Sequence, residues 1–159
     1  WKIKTPAILM KKICYVPTSS ILYDDTLIPI NTVYVIHSKN DKISLEYLNA
    51  ILNSKLMGYY TRKKYETTAM RGGFIELRTF EIKDIPIKLP SSQQEKCIVS
   101  LVDQMLSLQK KLHEGRPMGN EKERLEQQIK NVDYEIDQEV YKLYGITSEE
   151  QKIIEESLK

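Results

Sequence analysis

Two apolar stripes at helical spacing constrain this chain more than any other feature. Ile98, Leu101, Val102, Met105, Leu108 and Leu112 make the first. Leu125, Ile129, Val132, Ile136, Val140 and Leu143 make the second, at spacings of 4, 3, 4, 4 and 3. Spacings of three and four bring side chains onto one face only in a helix. Gly115, Pro117 and Gly119 interrupt the stripes, so they fold back as an antiparallel hairpin with arms at about 92–114 and 120–144. Each arm of about twenty residues is roughly 30 Å long. Ser92 with Glu95 predicts a capping box at the start of the first arm. Gly145 ends the second, and Thr147 with Glu150 predicts a cap for a short final helix.

Up to Pro90 the periodicity is different. Apolar residues fall in short runs rich in Ile, Val and Tyr at 7–16, 26–30, 31–38, 73–77 and 81–89. Pro, Gly, Asn and Asp punctuate them, which is the pattern of strands and turns. Tyr23-Asp24-Asp25 reads as one such turn. A helix interrupts the strands, capped by Ser44, with Leu45, Leu48, Ile51, Leu52 and Leu56 on one face and an end near Tyr60. The expected class is therefore α+β: a strand-rich region with an inserted helix over residues 1–90, then a helical hairpin and a short C-terminal helix over 91–159.

Composition agrees with a folded chain, at 41% hydrophobic and 29% charged residues. No apolar run approaches the roughly 20 residues that span a bilayer, and no signal peptide opens the sequence. Cys14 and Cys97 stand in unrelated contexts and read as reduced intracellular thiols, with a disulfide left open. A cytoplasmic protein is the expectation. The start at Trp1 without a methionine suggests a fragment of something larger. Residues 1–90 carry 14 Lys and Arg against 8 Asp and Glu, a net of +6, whereas residues 91–159 carry 10 against 14, a net of −4. Such asymmetry points the basic half toward an acidic partner such as nucleic acid.

The stretch GYYTRKKYETTAMRGGF, residues 58–74, gathers much of that basic charge into what reads as a polar loop. Arg62, Lys63, Lys64 and Arg71 have the chemistry for phosphates or, for arginine, guanine edges. Tyr65, Thr67 and Thr68 add hydrogen-bonding and methyl groups, and Gly72 and Gly73 allow close backbone approach or a positive φ. Lys11, Lys12, Ser19, Ser20 and Tyr23 are further candidates in the same half. A solvated helix end, with cations set against the helix dipole, is the competing account of the Arg62–Lys64 run.

Four segments in order, LNAILNSKLMGYY, a polar loop, GGFIELRTFEIKDIPIKLP and QQEKCIVSLVDQML, resemble the TaqI-like C-terminal specificity domain family. The early KTPAILMKKI and INTVYVI runs and the closing YKLYGITSEEQKIIEESL are similar to it as well. That family supplies target-recognition domains of type IIG restriction–modification enzymes and related adenine DNA methyltransferases, and type I specificity subunits look similar. The resemblance implies sequence-specific recognition of double-stranded DNA. It favours DNA contact for the 58–74 stretch.

The same resemblance implies that catalysis lies elsewhere, in methyltransferase or nuclease domains of the same chain or of partner subunits. S-adenosylmethionine and magnesium are expected there and no cofactor in this part. The residues agree: no Asn-Pro-Pro-Tyr or Asp-Pro-Pro-Tyr and no glycine-rich cofactor turn is present. Glu81-Ile82-Lys83, with Glu76 upstream, lacks the preceding Asp that a magnesium nuclease needs and reads as a solvated strand face. His37 and His113 have no companions at metal-ligand spacing. No catalytic or metal site is expected. A fragment of a type I specificity subunit is the alternative within this class, and a coiled-coil interaction module without DNA binding is the alternative outside it.

Overall fold

The computed structural model describes residues 3–24, 30–38 and 42–158. The chain is α+β, with small antiparallel sheets and two long helices packed against each other. Strands β1 (Ala7–Lys11), β3 (Ser19–Leu22) and β4 (Val33–Ile36) form a sheet in the order β3-β1-β4. Strand β2 (Ile13–Cys14) pairs separately with β5 (Ile75–Glu76), Cys14 opposite Ile75. The predicted 7–16 strand is thus two strands in two sheets, hinged at Lys12. Its N–H donates to Thr32 and its carbonyl accepts from Leu77, so one residue serves both neighbours. The predicted 26–30 strand and the Asp25 end of the predicted turn lie outside the described residues, apart from Ile30.

The single helix expected from Ser44 to Tyr60 is two helices, α1 (Leu45–Asn53) and α2 (Lys55–Lys64). Ser54 separates them with an extended backbone; its hydroxyl donates to the Ile51 carbonyl at 2.8 Å and accepts from the Met57 amide at 3.3 Å. A serine that satisfies one helix end and caps the next lets the chain turn without orphaned amides. Apolar spacing alone cannot show this, because Leu52 and Leu56 continue the stripe across the break. Helix α2 also runs four residues past Tyr60, carrying Arg62, Lys63 and Lys64 in its last turn.

The run at 81–89 is not a strand. Thr79–Lys83 forms a short helix, α3, and the chain then extends toward Pro90. Pro86 has no N–H to give a ladder, and tyrosines take the place of a neighbouring strand. Tyr144 donates to the Pro86 carbonyl at 2.7 Å and accepts from the Lys88 amide at 3.1 Å, while Tyr47 donates to the Lys88 carbonyl at 2.7 Å.

Helices α4 (Ser92–Glu114) and α5 (Asn120–Tyr144) form the hairpin, and α6 (Ser148–Ser157) follows Gly145, which adopts a φ of 75°. The capping box at the start of α4 uses Ser91 and Gln94, one residue earlier than predicted. Glu95 is engaged elsewhere: its carboxylate accepts the Ser44 amide at 2.9 Å, tying α1 to α4. The Thr147–Glu150 box of α6 forms as predicted.

One buried cluster crosses the whole molecule, from Ile8 and Met10 through Tyr47, Ile51 and Met57 to Ile98, Val102, Ile136 and Val140. Each such side chain contributes about 1.5–3 kcal/mol when fully buried. The hairpin is therefore packed against α1 and α2 along its base, and buried Asp137 of α5 completes the joint. Its carboxylate accepts the Lys55 backbone amide at 2.9 Å, at the start of α2, and lies 3.0 Å from the Lys55 ammonium. Among the described residues no helix is long and apolar enough to cross a membrane.

Candidate nucleic-acid interface

The last turn of α2 places three consecutive cations at the helix's negative end, where the dipole favours them. Consecutive helical residues point about 100° apart, and the three cations meet different surroundings. Arg62 turns inward: its Nη1 donates to the Ser157 carbonyl at 2.8 Å, and its guanidinium lies 4.2 Å from the centre of the Tyr15 ring. Lys64 donates to the Tyr60 hydroxyl at 2.9 Å and sits near the Tyr60 and Tyr65 rings. That hydrogen bond is the main cause of its raised pKa. Lys63 points to solvent and lies 3.8 Å from Glu66, an exposed pair worth little.

Beyond α2, Tyr65 is buried and its phenol pKa is raised, chiefly by burial. Thr67 and Thr68 follow in a single exposed 3₁₀ turn, Glu66–Thr68, in which Thr68 donates back to the Tyr65 carbonyl at 3.0 Å. Then comes a tight turn. The Met70 amide donates to Phe74 at 2.7 Å and the Gly73 amide donates to Met70 at 3.0 Å. Gly72 and Gly73 have φ of 87° and 77°, a region L side chains rarely enter. Gly73 also lies close against Tyr15, where an added Cβ would be 2.9 Å from the ring. The turn holds Arg71 out in solvent, and no hydrogen bond or ion pair engages it among the described residues. Phe74 and Met70 flank it, both exposed, and Phe74 meets Tyr15 edge to face at 6.2 Å between ring centres.

The β2–β5 pair connects this turn to the two N-terminal lysines. Lys12 holds its ammonium 4.9 Å over the Tyr34 ring, and Lys11 is exposed. Both line a shallow depression with Asn31, Thr32 and Glu76. The β3 candidates are mostly occupied. Ser19 is enclosed by α1: its amide donates to Asn53 at 2.8 Å, its hydroxyl to Asn49 at 2.9 Å, and its carbonyl accepts from Asn53 at 3.0 Å. Tyr23 donates to Glu46 at 2.9 Å, and its phenol is pushed up to about 12 by burial first and by that bond second. Ser20 is exposed.

Lys11, Ser20, Lys63, Thr67 and Arg71 are thus available to a ligand. Ser19, Tyr23, Arg62, Lys64 and Tyr65 already have partners in the chain, and Lys12 is stacked on a tyrosine. Tyr15 and Phe74, which pack at this turn, are not among the sequence candidates, because an aromatic in an apolar run reads as core. Their signal is position: one directly follows the β2 strand, and the other directly follows the glycine pair.

No described group of three or more His, Cys, Asp or Glu residues is arranged to hold a metal ion. Glu81 is buried as a helix cap, accepting the Arg78 amide at 2.6 Å, so it is not on a solvated strand face. Both cysteines are free, Cys14 buried and Cys97 exposed.

The model of one protein family, described as the TaqI-like C-terminal specificity domain, matches residues 1–87. That span covers both sheets, α1, α2, the Arg71 turn and α3. No curated protein matches the chain.

Proposed function

The chain belongs to the TaqI-like C-terminal specificity domain family, the DNA specificity modules of restriction–modification enzymes, and from that premise we propose that the exposed residues within 61–73 contact duplex DNA, with Arg71 reading a base. The observation that carries this reading is the turn Met70–Phe74, which holds an unpaired arginine in solvent on a backbone fixed by two hydrogen bonds. A planar guanidinium gives bidentate recognition of guanine in the major groove. Lys63 and Lys11 act as point charges for phosphates, which set register without reading sequence. The adenine-specific methyltransferase and endonuclease activities belong, in this proposal, to other domains of the parent protein, with S-adenosylmethionine and magnesium bound there.

A single module makes few phosphate contacts, so its binding is weak and falls steeply with salt. Titration of a fluorescent duplex at low and at moderate salt tests this. The expected result is binding at low salt that weakens strongly at moderate salt, with a shallower slope for Lys63→Ala. Salt-independent binding, or none at low salt, would count against a DNA-reading surface.

A further inference from the structure

Arg62 stands in the most basic run of the chain, yet its side chain is engaged within the chain. Half-buried at the edge of a pocket it shares with Lys63, Glu66 and Gly73, it donates to the Ser157 carbonyl and places its guanidinium over the Tyr15 ring. The same ring also meets the reading turn, through close contact with Gly73 and edge contact with Phe74. The chain of contacts runs from the last turn of α6, through Arg62 and Tyr15, to the two residues that follow Arg71 and Gly72. A second contact holds α6 in place. Gly58 of α2 has no side chain, and Val16 and Leu158 close over it, at 3.1 and 3.7 Å from where a Cβ would stand.

We infer that Arg62 and Tyr15 are positioning residues for the Arg71 turn, and that α6, beyond the matched span of 1–87, is part of the reading head. This rests on the proposal that Arg71 reads a base. Bidentate recognition demands placement within about 0.5 Å, and the two hydrogen bonds inside the five-residue Met70–Phe74 turn fix its own backbone but not its seating on the rest of the molecule. The cation–aromatic contact and the carbonyl bond supply a rigid backing on one side. The exposed side of Arg71 stays free for DNA.

The distinguishing experiment selects bound sequences from a randomised duplex pool, using the whole chain and its variants, alongside affinity for a fixed non-cognate duplex and a thermal melt. For Arg62→Ala and Tyr15→Leu the expected result is a loss of about tenfold in preference at the position read by Arg71, with affinity for the non-cognate duplex unchanged. Tyr15→Phe keeps the ring and is expected to keep the preference. The idea is overturned if Arg62→Ala weakens binding to all sequences alike, as a phosphate contact would, or if folded Tyr15→Leu keeps the full preference. Arg71→Ala serves as the reference. If it relaxes one position while Arg62→Ala and Tyr15→Leu do not, only the positioning role fails; if it changes nothing, the base-reading proposal fails with it.

Discussion

At the scale of single residues, two arginines nine positions apart have opposite environments. Arg62 is hydrogen-bonded and stacked, and Arg71 is held out in solvent. The glycines beside Arg71 differ too. Gly72→Ala meets only the positive φ, whereas Gly73→Ala meets a positive φ and a ring at 2.9 Å. We expect Gly72→Ala to cost about 1 kcal/mol and Gly73→Ala about 1–3 kcal/mol more, read as the shift in urea midpoint. Equal costs would mean that Tyr15 does not press on Gly73. The thiols give a second residue-scale prediction. Burial pushes the Cys14 thiol up to about 11 from an ordinary value of 9.0. The folded state therefore holds that proton more tightly, so its contribution is full below about pH 9 and is lost as pH rises through 11. In a thiol-reagent assay near pH 8, Cys97 should react quickly and Cys14 only after unfolding. Rapid reaction of both would contradict a buried Cys14. At this scale the sequence was legible for residue type and not for engagement. Nothing in RKK says which cation finds a carbonyl, because Ser157 is 95 residues away from Arg62.

The elements divide along the same line between local and distant causes. The hairpin and its Gly–Pro turn were legible because a stripe repeated over six residues per arm is a local, redundant signal. The break at Ser54 was not, since the stripe runs through it and the deciding hydrogen bonds belong to one side chain. The 81–89 segment was misread as a strand because its alternation is real. Its partners are the hydroxyls of Tyr47 and Tyr144, at sequence distances of 41 and 56–58. The capping box moved by one residue because Ser91–Gln94 and Ser92–Glu95 both satisfy the pattern, and Glu95 finds a tertiary partner in Ser44. For the hairpin, Val132→Asp buries an unpaired charge at a site 3% exposed. The expected cost is on the order of 3–5 kcal/mol, with lower helicity by circular dichroism and unchanged base preference among molecules that fold. A shifted preference at full stability would assign α5 to DNA reading.

In the whole molecule, the basic and acidic parts share one hydrophobic core. The α+β class, the hairpin and the family were all readable from pattern and order. The way the C-terminal third braces the basic part was not, because it is made by single contacts such as Asp137 with Lys55 and Arg62 with Ser157. That bracing leaves residues 67–72 and Phe74 exposed, with unpaired Arg71 among them. The most direct measurement is therefore selection from a randomised duplex pool by the wild-type chain, Arg71→Ala and Lys63→Ala. The expected result is a defined base preference for wild type, relaxed at one position by about 1–3 kcal/mol in Arg71→Ala. Lys63→Ala should keep the preference and bind every sequence more weakly. Unchanged preference and unchanged affinity in both variants, with folding intact, would contradict the account and leave residues 67–74 a solvated connector.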